Sequence, residues 1–317
     1  MTGFENNRVV RDLGSIYPIM QAPMSWIARG QLVCAVSAAG AFGMLETSSR
    51  DLDAVRREYD LIRERTDAPF GINLAIKMLK NHEEDEDRIL GWALDGRVKF
   101  VTTSAGDPRR YVERIKDAGV KVYHAVPSLE GALKAEDAGV DGLVVEGGES
   151  GGIRNIDPVH SFVLIQAVRA RTDLPIVAAG GIGTGRGMAA AFALGAEGIA
   201  MGTRFVASAE SPVHHNYKQA IVDAGPGGSI LVPSGGRAAS RVLRTELSET
   251  YVREGAKVAL AKGAIEHLYI GGRLDQAMGS SGETVGLIDA VKPVKDIVEE
   301  TVAGFWAEID RLAALRG

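Results

Sequence analysis

Two glycine-rich segments, each placed after a short apolar run, are the part of the sequence best suited to chemistry. The first contains Gly180 and Gly181, the second contains Gly202 and Thr203, and an alanine-rich helical stretch over residues 186–194 separates them. Glycine lets backbone N–H groups approach an anion without a Cβ atom in the way, and a following helix start attracts negative charge. The spacing therefore predicts a phosphate site at the ends of two neighbouring strands.

Short apolar runs alternate with longer amphipathic runs along most of the chain. Glycine follows several of the amphipathic runs, as it often does just past a helix C-terminus. This alternation indicates βα units, which build parallel sheets, and in eight-unit barrels the loops after the last two strands commonly bind phosphate. We predict an α/β fold, a closed TIM (β/α)8 barrel, with strands at residues 17–21, 42–45, 70–73, 99–102, 120–125, 142–145, 176–179 and 198–201.

The alternation stops near residue 211. Residues 212–275 contain loop-forming glycine and proline clusters, and from residue 237 they are charged and show no strand-like alternation. We expect a small, mostly helical second domain over 212–275 that caps a barrel formed by 1–211 and 276–317. A Gly/Ser segment over 278–286 would return the chain to the barrel mouth.

Composition narrows the range of functions and partners. The net charge is −5 and no long basic run occurs, so we expect no nucleic-acid partner. The single cysteine, Cys34, allows no internal disulfide, and His and carboxylate residues are not clustered as a metal site requires. We expect a cytoplasmic protein without a membrane partner, because the sequence has neither an apolar leader nor a run of about 20 apolar residues. A homo-oligomer is compatible with the sequence.

Barrel enzymes build their sites at the C-terminal ends of the strands. At those ends this chain has glycines and neutral hydrogen-bonding groups, among them Asn73 and His124. Such groups suit a cofactor with an aromatic ring system and one phosphate, with both side chains on polar ring atoms and the backbone of 22–24 along the ring edge. The alternative is that the glycines only permit tight turns. The sequence has no P-loop and no regular Gly-x-Gly-x-x-Gly motif, and we do not expect the segment around Ser150 to form the nucleophile elbow of a hydrolase.

Five blocks, at residues 18–24, 69–73, 146–152, 178–182 and 201–205, resemble the nitronate monooxygenase (2-nitropropane dioxygenase-like) family. They occur in the family's order and span nearly the whole predicted barrel. The resemblance implies a barrel with a small helical domain and bound FMN. The FMN-binding residues that we expect on this basis are Ala22, Pro23, Met24, Asn73, His124, Glu146, Ser150, Gly151, Gly180, Gly181, Gly202, Thr203 and Ser281.

One position departs from the family pattern. Family members usually read Gly-Gly-His after the sixth strand, and that histidine is the catalytic base, whereas this chain has Ile153 after its two glycines. Isoleucine cannot accept a proton, and deprotonating a nitroalkane requires a base. His160 and Glu149 are the candidate catalytic replacements. The alternatives are a surface histidine at a helix start and a hydrogen-bonded loop carboxylate.

The resemblance implies an FMN-dependent oxidoreductase that oxidises alkyl nitronates with O2. Related lineages imply an alternative, in which NAD(P)H is the electron donor and the substrate is an enoyl-CoA thioester, an enoyl-ACP thioester or a quinone. Residues 241–247 are similar to a segment of flavin reductases that act on CoA thioesters of ring-degradation intermediates. An alternative of another class is a phosphosugar-binding barrel isomerase or lyase without flavin. All of these activities predict a small-molecule substrate.

Overall fold

Eight parallel strands form a barrel in the computed structural model, which describes residues 2–49, 51–79, 82–255 and 263–316. All eight predicted strands are confirmed. The strands are β1 (Ile19–Gln21), β2 (Gly43–Leu45), β3 (Phe70–Ala75), β4 (Phe100–Ser104), β5 (Lys121–Val126), β6 (Gly142–Glu146), β7 (Gly152–Asn155), β8 (Ile176–Ala179), β9 (Gly198–Met201), β10 (Ser229–Gly235) and β11 (Ala238–Leu243). The sheet order is β1-β9-β8-β6-β5-β4-β3-β2, and a parallel bridge between Met20 and Phe42 joins its two ends.

Helices surround the barrel and connect its strands. Several begin at a capping side chain: the Ser128 hydroxyl accepts from the N–H of Gly131, and the Thr184 hydroxyl accepts from that of Gly187. The helices are α1 (Arg8–Leu13), α2 (Gly30–Ala38), α3 (Leu52–Arg65), α4 (Ile76–Leu79), α5 (Glu83–Ala93), α6 (Arg109–Asp117), α7 (Leu129–Asp137), α8 (Ser161–Arg169), α9 (Gly185–Ala193), α10 (Thr203–Val206), α11 (His215–Asp223), α12 (Glu246–Glu254), α13 (Ala264–Tyr269) and α14 (Val294–Ala313). In the described parts of the chain, no helix is both long and apolar enough to cross a membrane.

The strand pleat divides the apolar side chains between two layers. One layer lies between the strands and the helices, and the other fills the barrel. Helix α1 closes the N-terminal end of the barrel, where the Tyr123 hydroxyl donates to Asp12 Oδ2 at 2.8 Å. The C-terminal end is thereby left for a site. The interior layer contains Val9, Leu13, Met20, Phe42, Met44, Phe100, Tyr123, Val144, Val177, Ala179 and Ala200.

A second, three-stranded antiparallel sheet lies beside the barrel, in the order β10-β11-β7. Residues 212–275 contain helices α11 to α13, as expected, but the prediction that no strand occurs from 237 onward was wrong because β11 lies there. The strand was missed because the buried Arg241 interrupts its apolar alternation. Residues 256–262 lie outside the described residues, and the domain boundaries at 212 and 275 stay a prediction.

The C-terminal helix α14 packs directly on α9. Gly185, the first residue of α9, lies so close to α14 that a Cβ atom there would be 2.3 Å from the backbone nitrogen of Phe305. Phe305 also contacts the rings of Phe4, Phe192 and Trp306. The contact therefore holds the C-terminal helix against both the barrel and the N-terminal segment.

This close contact predicts opposite effects for two glycines of the same helix. Gly185→Ala should lower the free energy of unfolding by about 1–3 kcal/mol, because backbone must move to admit the methyl group. Gly187→Ala should leave it unchanged or higher, because a Cβ there meets Thr184 Oγ1 at 3.5 Å and Ile182 at 3.6 Å, which are ordinary van der Waals contacts, and alanine favours helix. Urea unfolding of both variants measures the difference, and equal stabilities would contradict the contact.

Candidate active site

The last inward-facing residues of the strands form a floor across the C-terminal end of the barrel. In β3, Ile72 and Leu74 belong to the outer layer, so Asn73 between them faces the barrel axis. Several of these positions have small side chains. The floor consists of Ala22, Glu46, Asn73, Ala125, Glu146 and Gly202.

Asn73 is held with its donor group available. Its Oδ1 accepts hydrogen bonds from the hydroxyls of Thr102, at 2.9 Å, and Ser104, at 3.3 Å. Both oxygen lone pairs are thereby used, and among the described residues Nδ2 donates to no acceptor. The side chain is buried and fixed, so its amide is suited to a carbonyl oxygen of a bound ring.

His124 lies on the other side of its strand. Tyr123 is in the interior layer, so the alternation of β5 turns His124 towards the helices, where its Nδ1 is 2.7 Å from the Thr103 hydroxyl. Burial lowers the pKa of His124 to about 4, opposed in part by the nearby Asp107 carboxylate, and the ring is neutral at pH 7. The structure therefore does not bring His124 together with Asn73.

The predicted phosphate residues form a cradle of backbone donors. Gly180 and Gly181 both have positive φ, at 97° and 74°. Within the described residues, no hydrogen bond is donated by the N–H groups of Gly181, Gly202 or Thr203. A Cβ at Gly180 would lie 3.0 Å from both the Gly147 carbonyl and Ser150 Oγ. Free N–H groups without side chains over them fit a phosphate.

The loop between β6 and β7 interleaves with the returning segment around Ser281. A Cβ on Gly151 would lie within 2.9 Å of the backbone of Ser281 and Gly282, and Glu283 N donates to the Glu149 carbonyl at 2.8 Å. Gly282 N also donates to Thr203 Oγ1 at 2.9 Å. The structure thus brings the predicted residues Ser150, Gly151, Thr203 and Ser281 together at the barrel mouth.

The segment after β1 forms the adjoining wall. Ala22, Pro23 and Met24 are half-buried, and Ala22 N donates to the Met201 carbonyl at 3.0 Å. A Cβ on Gly202 would meet Met24 Sδ at 3.6 Å and the Ala22 methyl at 3.8 Å. These three residues therefore lie beside the cradle, where we predicted the ring edge.

The two candidate bases, Glu149 and His160, lie at the start of α8. The Glu149 carboxylate accepts from the N–H and hydroxyl of Ser161, at 2.9 and 2.7 Å, and so caps the first turn of α8. His160 precedes that helix and is exposed. Ile153 lies on β7, paired with Ser240 of β11, and its side chain is 62 % exposed. The mouth thus presents an apolar side chain at this position.

Sequence reasoning missed the charged pairs that support the mouth. Arg154 is buried and binds the Glu146 carboxylate at 2.5 Å. Arg241, also buried, donates to the Gly148 carbonyl at 2.9 Å and pairs with Glu283 at 3.1 Å. Burial of these arginines depends on β7 pairing with β11, and no local pattern signals that pairing.

An apolar groove of about 360 Å³ opens next to the cradle, between α8 and α9. Gly180, Gly181, Glu149 and Glu283 are among the residues that line it. Apolar side chains form the rest, and Phe162 is 66 % exposed there. The apolar lining contains Phe162, Ile165, Ile182, Ala190, Ala191, Leu194 and Leu287.

The lowered pKa of His124 predicts a loss of stability in mild acid. As pH falls from 6.5 to about 4, the unfolded chain takes up a proton on this ring before the folded chain does. The wild-type free energy of unfolding should fall between pH 7 and pH 5 by about 2 kcal/mol more than that of His124→Gln. Urea unfolding at both pH values measures this, and equal losses would contradict a neutral buried ring.

The cradle predicts that Gly180 is required for binding of the FMN that the family resemblance implies. Gly180→Ala places a methyl group against the β6–β7 loop in a strained conformation, and should weaken FMN binding at least tenfold. Gly183→Ala is the matched control, because a Cβ there makes only ordinary contacts, with Thr284 at 3.6 Å and Arg204 at 3.9 Å. Fluorescence titration of the apoproteins with FMN gives both affinities. Equal weakening by the two substitutions would argue against the cradle.

The chain is similar to known proteins over most of its length. The family model for nitronate monooxygenase matches residues 7–304. The (3aS,4S,5R,7aS)-5-hydroxy-7a-methyl-1-oxo-octahydro-1H-indene-4-carboxyl-CoA dehydrogenase of Mycobacterium tuberculosis is 33% identical over 75% of this chain and 66% of that protein, just under two thirds. Its namesake from Rhodococcus jostii is 27% identical over 96% of this chain and 97% of that protein. A nitronate monooxygenase from Paraburkholderia phytofirmans is 30% identical over 66% of this chain and 69% of that protein.

A solved structure gives the same result for the fold. FabK from Thermotoga maritima superposes with a TM-score of 0.89 at 35% sequence identity, covering 98% of this chain and 99% of that one. Sequence blocks, barrel and cradle agree with this likeness, and the flavin-free isomerase or lyase alternative finds no support among these relatives. The chain belongs to the nitronate monooxygenase family, and it is an oxidoreductase.

Proposed function

We propose that the chain is an FMN-dependent oxidoreductase that reduces an enoyl thioester with electrons from NAD(P)H. The observation that carries the proposal is Ile153, an exposed apolar side chain where the family resemblance implies a catalytic histidine. Removing a proton from a carbon acid requires a base at the reacting atom. Adding a hydride to a conjugated double bond requires none, and solvent can supply the proton that completes the reduction.

The ionisable groups near Ile153 also support a reduction rather than a reaction that begins with proton abstraction. Glu146 is paired with Arg154, and Glu149 caps α8. Using either carboxylate as a base would remove it from these partners and leave a buried guanidinium or a helix end unsatisfied. His160 is exposed at the start of α8. We therefore assign no proton transfer to His160 or Glu149.

The mouth residues suit FMN. Gly180, Gly181, Gly202 and Thr203 would hold its phosphate, and Asn73 Nδ2 would donate to a carbonyl of its ring. Bound FMN would supply the chemistry of hydride transfer between NAD(P)H and the substrate. The segments around Ser150 and Ser281 would exclude water from one side of the ring, because their backbones are already in contact.

Apolar surface beside the mouth supports a substrate with an acyl chain. Phe162 and Val163 at the start of α8 are more than half exposed, as is Ile153, and the groove next to the cradle extends this surface. Exposed apolar patches of this kind mark binding sites. Two relatives carry the name of a carboxyl-CoA dehydrogenase, and one of them aligns over almost the whole chain. We infer a thioester substrate for this chain on both grounds.

Oxidation of a preformed alkyl nitronate with O2 is the second candidate. The family match and the nitronate monooxygenase from Paraburkholderia phytofirmans favour it. A nitronate is already deprotonated, so its oxidation places less demand on a base than that of a neutral nitroalkane. Ile153 is therefore compatible with nitronate oxidation but not with nitroalkane oxidation.

Flavin reduction under anaerobic conditions separates the two candidates. The FMN-loaded protein is mixed with NADH, NADPH or propionate 3-nitronate, and the flavin absorbance is followed. We expect rapid bleaching by one of the nicotinamides and reoxidation by an enoyl-CoA. Bleaching by the nitronate alone would replace the first candidate with the second, and a protein that retains no flavin after loading would refute both.

A substitution at Ile153 tests whether the lack of a base at this position limits the reaction. Ile153→His introduces a proton acceptor and should allow oxidation of a neutral nitroalkane at a rate at least tenfold above wild type, because general bases contribute about 10²–10⁴-fold. Ile16→His is the control, because Ile16 is similarly exposed, at 54 %, but precedes β1 at the closed end of the barrel. Equal rates in both variants would show that position 153 does not face the substrate.

A further inference from the structure

Arg154 is the side chain around which the β6–β7 loop is organised. Only 8 % of its surface is exposed. Its guanidinium contacts four acceptors in and beside this loop. Nη2 binds the Glu146 carboxylate at 2.5 Å and the Gly151 carbonyl at 2.8 Å. Nε donates to the Ser150 carbonyl at 3.0 Å and Nη1 to that of Ile153 at 2.5 Å. Only a planar guanidinium group has enough N–H donors to bind these four acceptors, and the ammonium group of lysine cannot replace it.

These bonds fix the direction of a free backbone donor. In a trans peptide unit, the C=O of one residue and the N–H of the next point in opposite directions. Since Arg154 binds the Ser150 carbonyl, the N–H of Gly151 is turned away from the guanidinium. Among the described residues, that N–H donates no hydrogen bond. It lies at the barrel mouth, next to Ser281 and Gly282.

The same guanidinium neutralises a carboxylate at the mouth. Glu146 is the last residue of β6, and its inward position places it on the floor where the cofactor ring would lie. Its side chain is partly exposed, at 31 %. Solvent therefore weakens the charge but does not abolish it. An unpaired carboxylate there would oppose the addition of electrons to a neighbouring ring.

We propose that Arg154 is a positioning residue for the flavin, with two separable effects. It aims the Gly151 N–H at the cofactor, and it cancels the charge of Glu146 beside the ring. The inference rests on the proposed function in one respect, which is that the bound group is FMN. It does not depend on which substrate the reduced enzyme uses.

Three variants separate the two effects. Arg154→Gln removes both the carbonyl contacts and the neutralising charge, Glu146→Gln removes only the carboxylate charge, and the double variant removes both charges. The apoproteins are titrated with FMN to obtain affinities, and the midpoint potential of the bound flavin is measured by equilibration with redox dyes. Neither readout depends on turnover.

The expected results differ in sign. Arg154→Gln should weaken FMN binding at least tenfold and lower the midpoint potential, favouring oxidised over reduced FMN by about tenfold, which is about 30 mV for two electrons. Glu146→Gln should raise the potential, which is a shift of the opposite sign to that of Arg154→Gln. The double variant should have a potential near wild type but keep the weak binding, because the loop carbonyls still lack their donor.

Two further variants keep the test decisive. Arg154→Lys retains the charge but not the fork, so the potential should stay near wild type while FMN binding weakens. Arg237→Gln is the matched surface control, since Arg237 precedes β11 and forms only a distant, exposed pair with Asp157 at 3.8 Å. It should change neither quantity. If Arg154→Gln does not fold, the other two variants still test the inference, because Glu146→Gln should raise the potential whereas Arg154→Lys should weaken FMN binding at a potential near wild type.

The outcomes also separate this inference from the proposed function. Failure of the wild-type apoprotein to bind FMN would refute the proposed function and the inference with it. Tight FMN binding by the wild type, with an unchanged potential in both Glu146→Gln and Arg154→Gln, would overturn the inference alone. A potential that shifts in the same direction in both single variants would overturn the charge-cancelling effect.

Discussion

Closure of the sheet between Met20 and Phe42 is the constraint on which the rest of the structure depends. Once the strands form a closed barrel, each residue faces either the axis or the helices, and the two sets alternate strictly along every strand. The interior layer is apolar up to the level of Val144 and Ala200, and the next inward level is small or polar. The closed barrel therefore produces a dry support with a hydrogen-bonding floor above it.

Two glycine-rich segments are brought into contact by this barrel, although neither belongs to it. The loop after β6 and the segment around Ser281 approach so closely that a methyl group on Gly151 or Gly282 would collide with backbone. Glycine is thus required in both segments for their close backbone approach, whereas the glycines of the phosphate cradle leave N–H groups free. Tyr217 adds a third element, because its buried hydroxyl lies 2.8 Å from Ser281 Oγ and joins α11 to the mouth.

The sequence was sufficient for the barrel but only partly for the site. All eight strands follow from local alternation and from glycine after the helices, and these signals need no knowledge of distant residues. Asn73 could be placed at the mouth from the predicted end of its strand alone. His124 also ends a strand, yet which way it faces depends on a shift of one residue in the pleat, which the sequence pattern leaves open. Strands β7 and β11 escaped detection because they stabilise each other across a long loop and each carries a buried arginine in place of an apolar residue.

Charge at the mouth is balanced rather than scarce. Glu46 pairs with Arg29 at 3.0 Å, Glu146 with Arg154, and Glu283 with Arg241. Each carboxylate is held by a guanidinium that also binds polar groups of a neighbouring segment, so the pairs specify loop positions as well as charge. Such a site has fixed donors and little free acid or base. In the function that we propose, the barrel and its glycines would hold the flavin, whereas the apolar residue at position 153 and the paired carboxylates around it would restrict the reactions that the flavin supports.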